Sequence, residues 1–295
     1  ETTYIQLYVM EVSMQHIVVT GGSSGIGLAL CKRLATEKGA YVYLGSRNAT
    51  KGQDAVNSIL SSNPTANGKL EMLNIDVCDD ASCVSAASSL KAKGVTLYAL
   101  VNNAGIGLAH DGITTADIMN TNYNGPHRVT EAMVELIAPG GRIVNMSSGV
   151  ASMFLKTQDA ECKALYSNPN LTMEELETRV AADVAAGNLG MGDGYGLSKA
   201  ALSALTIVQG NKYPNLTITS VSPGFIDTPM TRGFGARLTP EEGCVSALKC
   251  LYDEDVVSGY YYGSDGLRSP LTMTRDPGTP EYQGEDDPDA TIYNK

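Results

Sequence analysis

The chain has 295 residues, 43% of them hydrophobic and 18% charged, with 31 glycines, a make-up that fits one large globular unit and excludes a disordered or fibrous chain. A formal net charge of −11, without a basic run or Arg/aromatic alternation, repels phosphate backbones and excludes nucleic acid as an expected partner. No apolar run approaches the ~20 residues of a membrane helix, and six scattered cysteines and three isolated histidines predict reduced thiols and no metal centre.

Residues 1–13, ETTYIQLYVMEVS, precede Met14 and lack the basic head of a targeting segment, so they are read as an extension outside the fold. Without a signal peptide the chain is expected to be cytoplasmic, and the sequons at Asn48, Asn145, Asn170 and Asn215 are read as chance. From His16 onward, short β-branched runs predict buried strands: HIVVT (16–20), YVYLGS (41–46), LEMLNID (70–76), LYALVNNAG (97–105), RIVNMSS (142–148) and LTITSVSP (216–223). Helical stretches lie between them at 26–38, 50–62, 80–93, 115–138 and 195–212. This alternation implies an α/β, doubly wound parallel sheet of the Rossmann type, one domain over 14–270. Residues 271–295 follow as a tail, whose acidic end GEDDPDATIYNK is expected to be mobile.

Ligands of such sheets bind beyond the carboxyl ends of the strands. The first strand ends in TGGSSGIG (20–27), where Gly21, Gly25 and Gly27 permit a tight turn and Ser23, Ser24 and Ile26 complete a helix opening that offers N–H groups to a pyrophosphate. The second ends at Ser46-Arg47, where an acidic residue would meet the ribose 2′-OH of NAD. That acid is absent; Arg47 suits the 2′-phosphate of NADP(H), the alternative being a solvated surface arginine. Asp76 and Val77, after the third strand, are candidates for the adenine edge.

Further on, DGYGLSKAALSALT (193–206) sets Tyr195 and Lys199 four apart on one helix face. A cation one turn from a phenol favours the phenolate and is expected to lower a pKa that starts near 10. The bland alternative is a tyrosine packed by its ring beside a lysine reaching for solvent.

TGGSSGIG, NNAG (102–105), YGLSK (195–199) and SPGFIDT (222–228), in that order, resemble the short-chain dehydrogenase/reductase family, from roughly Gln15 to Gly266. The resemblance implies four catalytic residues: Tyr195, Lys199, Ser148 as the second serine of IVNMSS, and Asn122 of MNTNYNGPHRV, favoured by register over Asn120 and Asn124. It implies that Tyr195 gives a proton to a carbonyl oxygen that Ser148 also contacts. Lys199 would hold the nicotinamide ribose, and Asn122 would bend its helix and bind a water linking Lys199 to solvent. Asn103, Ala104 and Gly105 would border the cofactor, and Pro223, Gly224, Ile226 and Thr228 would face its carboxamide.

One departure is large: Ser148 and Tyr195 are 47 positions apart, far more than in most members. Within the added 149–194, LTMEELETRVAADVAAG (171–187) has a capping box at Thr172 and Glu175 and an apolar stripe of Leu176, Val180 and Val184, which predicts an inserted helix. Such an insert resembles the monomeric, NADPH-dependent carbonyl reductase branch; a fairly apolar aldehyde, ketone or quinone is the expected substrate. Laid over helices 115–138 and 195–212, through which family members pair, it would block a two-fold dimer and leave a monomer; over the cleft mouth it would not. Met191, Phe225, Met230 and Phe234 are candidates for the pocket wall, or ordinary core. The rival reading from another class is a non-catalytic NADP(H)-sensing protein, against which stands the retention of both Tyr195 and Lys199.

Overall fold

A computed structural model describes residues 14–107 and 112–284; the 1–13 extension and residues 285–295 of the acidic end lie outside the described residues. The chain runs β1 (His16–Val19), α1 (Gly25–Glu37), β2 (Tyr41–Ser46), α2 (Ala49–Ser62), β3 (Leu70–Asn74), α3 (Asp80–Ala92) and β4 (Leu97–Asn102). It continues through α4 (Thr115–Met119), a π-helical segment (Asn120–Asn124), α5 (Gly125–Met133), β5 (Ile137–Met146), α6 (Gly149–Lys156), α7 (Ala160–Tyr166) and α8 (Met173–Ala185). The last elements are α9 (Tyr195–Lys212), β6 (Thr217–Val221), α10 (Val245–Tyr252) and β7 (Tyr261–Tyr262).

All seven strands pair in parallel, in the order β3-β2-β1-β4-β5-β6-β7. Strand order reverses between β1 and β4, which opens a crevice at their carboxyl ends. Ile17, Val19, Val42 and Leu44 face a core closed by α1, α2 and α10, while Val18, Tyr43, Leu100 and Ile143 face one closed by α3 and α5. Alternate strand residues thus enter opposite layers, as a period of two requires. Every strand is covered on both faces, which is why each reads as a continuous apolar run. Asn145 is fully buried in β5, where it bonds Asn102, Thr206 and Gln209.

The insert forms a third layer. It holds three helices where the sequence predicts one: α6 starts immediately after Ser148, α7 follows, and α8 carries the Thr172/Glu175 capping box. Leu176 and Val180 of α8, with Phe154, Leu155 and Tyr166, pack on Leu197, Ala201, Leu205 and Val208 of α9. Val184 does not belong to this stripe; it is 40% exposed, and its neighbour Asp183 is buried instead. The buried carboxylate is compensated by Arg179 through two bonds (3.0 and 3.1 Å), by Tyr166 Oη (2.9 Å) and by Asn188 Nδ2 (2.9 Å).

Two further expectations change. The helix read over 115–138 is broken by the π segment, and its last residues turn into β5. Residues 271–284, read as the beginning of a tail, are held against the domain. Arg275 is 1% exposed and pairs with Asp265 (2.8 and 3.0 Å), Arg268 stacks between Tyr260 and Tyr282, and Ser152 Oγ donates to Pro270 O. The acidic composition concealed this strap because its anchors are two arginines far from the run of acids.

Candidate active site

The crevice is lined by the loops that leave β1, β4, β5 and β6. At β1, the turn between strand and helix is pressed against the loop after β4: a Cβ at Gly21 would stand 2.8 Å from Ala104 Cα, and φ there is +66°. Thr20 Oγ1 accepts from Asn103 N and Ala104 N, both at 3.0 Å, and Asn103 Nδ2 donates to Thr20 O at 2.8 Å. Asn103 thereby stitches the two loops together. Ser24 precedes α1 without capping it, and the N–H groups of Gly25, Ile26 and Gly27 have no acceptor among the described residues. That is a helix N-terminus open to an anion. Across the crevice, Thr228 lies within van der Waals reach of Gly25. Thr228 in turn is tied to Thr231, and Gly224 takes a φ of +94° that turns the loop from Pro223 to Ile226 toward the site.

Tyr195 and Lys199 occupy the first turns of α9, as the spacing predicts, and both are buried. Tyr195 lies under the loop after β4; at Gly107, a Cβ would stand 2.5 Å from the ring. Burial raises the Tyr195 hydroxyl to about 12, with the nearby Ser148 hydroxyl offsetting part of the rise. Burial also lowers the Lys199 ammonium to about 8. The expectation that Lys199 lowers the tyrosine's pKa is therefore corrected. Nζ stands 5.6 Å from the ring centroid and donates to Met146 O (2.8 Å), and burial sets the direction of the phenol's shift. One acceptor leaves two donors of the buried ammonium unused among the described residues. With the open N-terminus of α1, this is the donor set that a dinucleotide's ribose and pyrophosphate fit.

Ser148 stands between β5 and α6, where its Oγ accepts from Val150 N (3.2 Å) and faces Tyr195. Asn122 lies in the π segment, an interruption of the α-helical ladder at the residue expected to bend its helix. Its side chain, however, is committed elsewhere: Oδ1 accepts from Ile106 N (2.9 Å), and Nδ2 donates to Ile106 O (2.9 Å) and Ser198 Oγ (3.1 Å). Both amide hydrogens are used, so the side chain fixes the loop over Tyr195. Arg47 is exposed at the end of β2, with no hydrogen bond or ion pair among the described residues. Asp76 and Val77 follow β3 on the same side, and Asp76 Oδ1 accepts from Cys78 N (3.0 Å). Phe225, Phe234 and Met191 are about half exposed and so are not core; Met230 is half-buried.

Ser222 and Ser198 lie inside quoted motifs with no role assigned to them, and Tyr261 lies outside every motif. Ser222 Oγ accepts from Gly149 N (3.0 Å) and Gly224 N (3.3 Å), tying the start of α6 to the loop after β6. The buried Tyr261 hydroxyl faces Ser222 and Ser152. Ser222 precedes a Pro-Gly pair, a turn signal that could have marked it; a tyrosine on a two-residue strand carries no such mark. Among the described residues no three His, Cys, Asp or Glu side chains converge as a metal site would need, and no helix is long and apolar enough to cross a membrane.

Comparison with known proteins agrees with this arrangement. The family model for short chain dehydrogenase matches residues 15–162. The chain is similar to (−)-isopiperitenone reductase of Mentha piperita, at 29% identity over 85% of this chain and 96% of that one. It is similar to carbonyl reductase [NADPH] 1 of Homo sapiens, at 30% identity over 77% and 86%. Among solved structures, salutaridine reductase of Papaver somniferum superposes with a TM-score of 0.73, at 29% identity over 84% of this chain and 99% of the other. A doubly wound sheet, a glycine turn facing an open helix end, and Tyr195 and Lys199 buried at the crevice thus have a common origin: the chain belongs to the short-chain dehydrogenase family of oxidoreductases, among whose members it is similar to reductases.

Proposed function

We propose that the chain is an NADPH-dependent carbonyl reductase acting on a small, fairly apolar aldehyde, ketone or quinone, working as a cytoplasmic monomer. The observation that carries this is the convergence of the Tyr195 hydroxyl, Ser148 and the under-used Lys199 ammonium at the carboxyl ends of β4 and β5. When bound, the reduced nicotinamide supplies a hydride to the carbonyl carbon. Tyr195 gives its proton to the carbonyl oxygen, and burial keeps it protonated at neutral pH, the state a reduction needs. Ser148 donates a hydrogen bond to the same oxygen as negative charge develops there. Lys199 uses its two unused donors on the nicotinamide ribose.

The remaining assignments follow the crevice. The N–H groups of Gly25, Ile26 and Gly27 hold the pyrophosphate, Arg47 the 2′-phosphate, Asp76 and Val77 the adenine edge, and the loop from Pro223 to Thr228 the carboxamide. Met191, Phe225, Met230 and Phe234 form the rim that receives the substrate's apolar body. The layer of α6 to α8 over α9 supports the monomer, because it covers the apolar face a two-fold partner would use. The test is loss of NADPH absorbance across a panel of apolar aldehydes, ketones and quinones. Turnover of at least one is expected. Tight NADPH binding with no turnover on any would favour the sensing protein.

A further inference from the structure

Arg128, on α5, lies near the end of the MNTNYNGPHRV stretch without a role assigned to it, yet its guanidinium makes contacts in three directions. Nη1 donates to Val77 O at 2.6 Å, Nη2 donates to Asn120 Oδ1 at 3.2 Å, and Nε faces the exposed Asp80 carboxylate. We propose that Arg128 is a positioning residue for cofactor recognition: it fixes the Val77–Cys78 peptide, and through it aims the Asp76 carboxylate and the Val77 N–H at the adenine ring. This rests on the dinucleotide reading given above.

The geometry gives each step. The Val77–Cys78 peptide is held at both ends. Its carbonyl accepts from Arg128, and its N–H, belonging to Cys78, donates to Asp76 Oδ1 at 3.0 Å. With the plane of that peptide fixed, the carboxylate bound to it is fixed too, and Oδ2 has no partner among the described residues. The preceding N–H, that of Val77, also lacks an acceptor among the described residues. The rim therefore presents one acceptor and one donor side by side. An aminopurine edge offers the matching donor and acceptor: an exocyclic amine and a ring nitrogen.

A planar fork is needed for this task. It reaches a backbone carbonyl and a side-chain amide oxygen from two nitrogens at fixed spacing, which the single ammonium of a lysine cannot do. The second acceptor, Asn120, lies in the π segment, two residues from Asn122, and Cys78 Sγ meets Thr121 Oγ1 at 3.2 Å. The adenine rim is thereby fastened to the helix that also fixes the loop over Tyr195. Loosening the rim should weaken adenine recognition without removing a group from the reacting end.

The probe is adenosine 2′,5′-bisphosphate, titrated by calorimetry into the full chain and its Arg128→Met and Arg128→Lys variants, with kcat measured at saturating NADPH. Binding is expected to weaken about tenfold in Arg128→Met, the loss of one charge-assisted hydrogen-bond set, and nearly as much in Arg128→Lys, with kcat within about twofold of the parent. NADPH and its hypoxanthine analogue, which lacks the amine, are then compared. The parent's preference for adenine should shrink in the lysine variant, a change that general loosening of the fold would not produce. If both folded variants bind the bisphosphate as the parent does, or if Arg128→Lys keeps the adenine preference, the inference is overturned while the dinucleotide reading stands. If the parent itself does not bind the bisphosphate, that reading fails and the inference fails with it.

Discussion

The first half of the crevice and the insert are built on opposite principles. From β1 to the end of β4, position is set by a few contacts made onto backbone atoms: Gly21 against Ala104, Thr20 Oγ1 accepting two N–H groups, and Asn103 Nδ2 donating to Thr20 O. A handful of atoms at fixed spacing suffices, and a short motif records them. In α6 to α8 and the 271–284 strap, position is set by side chains spread over many residues: Leu176, Val180 and Tyr166 on α9, Asp183 among its three partners, and Arg275 on Asp265. No short pattern encodes that kind of fit. The backbone-built half brings the glycine turn against the loop after β4, whereas the side-chain-built half decides which faces of this chain are covered.

Breaking the chemistry that both halves surround should have the largest effect. Tyr195→Phe keeps the ring and deletes the proton donor, so turnover should fall by about a hundredfold to ten-thousandfold while NADPH still binds. Near-normal turnover in that variant would remove Tyr195 from the mechanism. Next is the insert. Leu176 is fully buried against α9, and Leu176→Ala should cost about 2 to 5 kcal/mol of stability, read from denaturant unfolding. Light scattering of the parent should give one chain's mass, 31.1 kDa, and a doubled mass would show that the insert leaves the pairing face free.

A smaller effect belongs to the backbone-built half. Arg47 has no partner among the described residues, so Arg47→Ala should leave the fold intact and erase most of a ten- to hundredfold preference for NADPH over NADH, about 1.5 to 3 kcal/mol of charge-assisted bonding. Equal use of both cofactors by the parent would end that assignment. The smallest effect is a pH dependence of opposite sign for function and stability. Lys199 is lowered to about 8 in the fold, from an ordinary 10.5. Reduction should weaken as pH rises through about 8 and the ammonium is lost. Between about 8 and 10.5 the unfolded chain holds the extra proton, so this group's contribution makes stability rise with pH across that window. Lys199→Met should flatten both trends.

What the sequence reveals follows the same division. Six strands, the glycine turn and the Tyr195/Lys199 pair are legible because each depends on local spacing. The break of helix 115–138 is not, because the π segment answers to Asn122 bonding Ile106 and Ser198, which are distant in the chain. The stripe on α8 slips by one residue for a similar reason. A polar residue counts as outward in any periodicity, and Asp183 is inward only because Arg179, Tyr166 and Asn188 meet it. Helices α6 and α7 were hidden by their own composition. GVASMFLK, directly after a strand, has the apolar density of a strand's continuation. The two-residue β7 is shorter than any pattern can register.

Every residue of α9 from Tyr195 to Thr206 is buried, so the helix has a sheet on one side and the insert on the other. A helix enclosed in this way has almost no neutral positions. Each substitution along it is a core substitution, felt at once as a cavity or an overlap. On the proposed function, drift and adaptation would be displaced from α9 to the proposed rim, where Met191, Phe225 and Phe234 are about half exposed and can change size or polarity at little cost in stability. The fold thus separates a frozen reaction centre from a plastic entrance. A laboratory lineage selected for a new carbonyl substrate should accumulate its changes at 191 and 225–238 and leave 195–206 untouched.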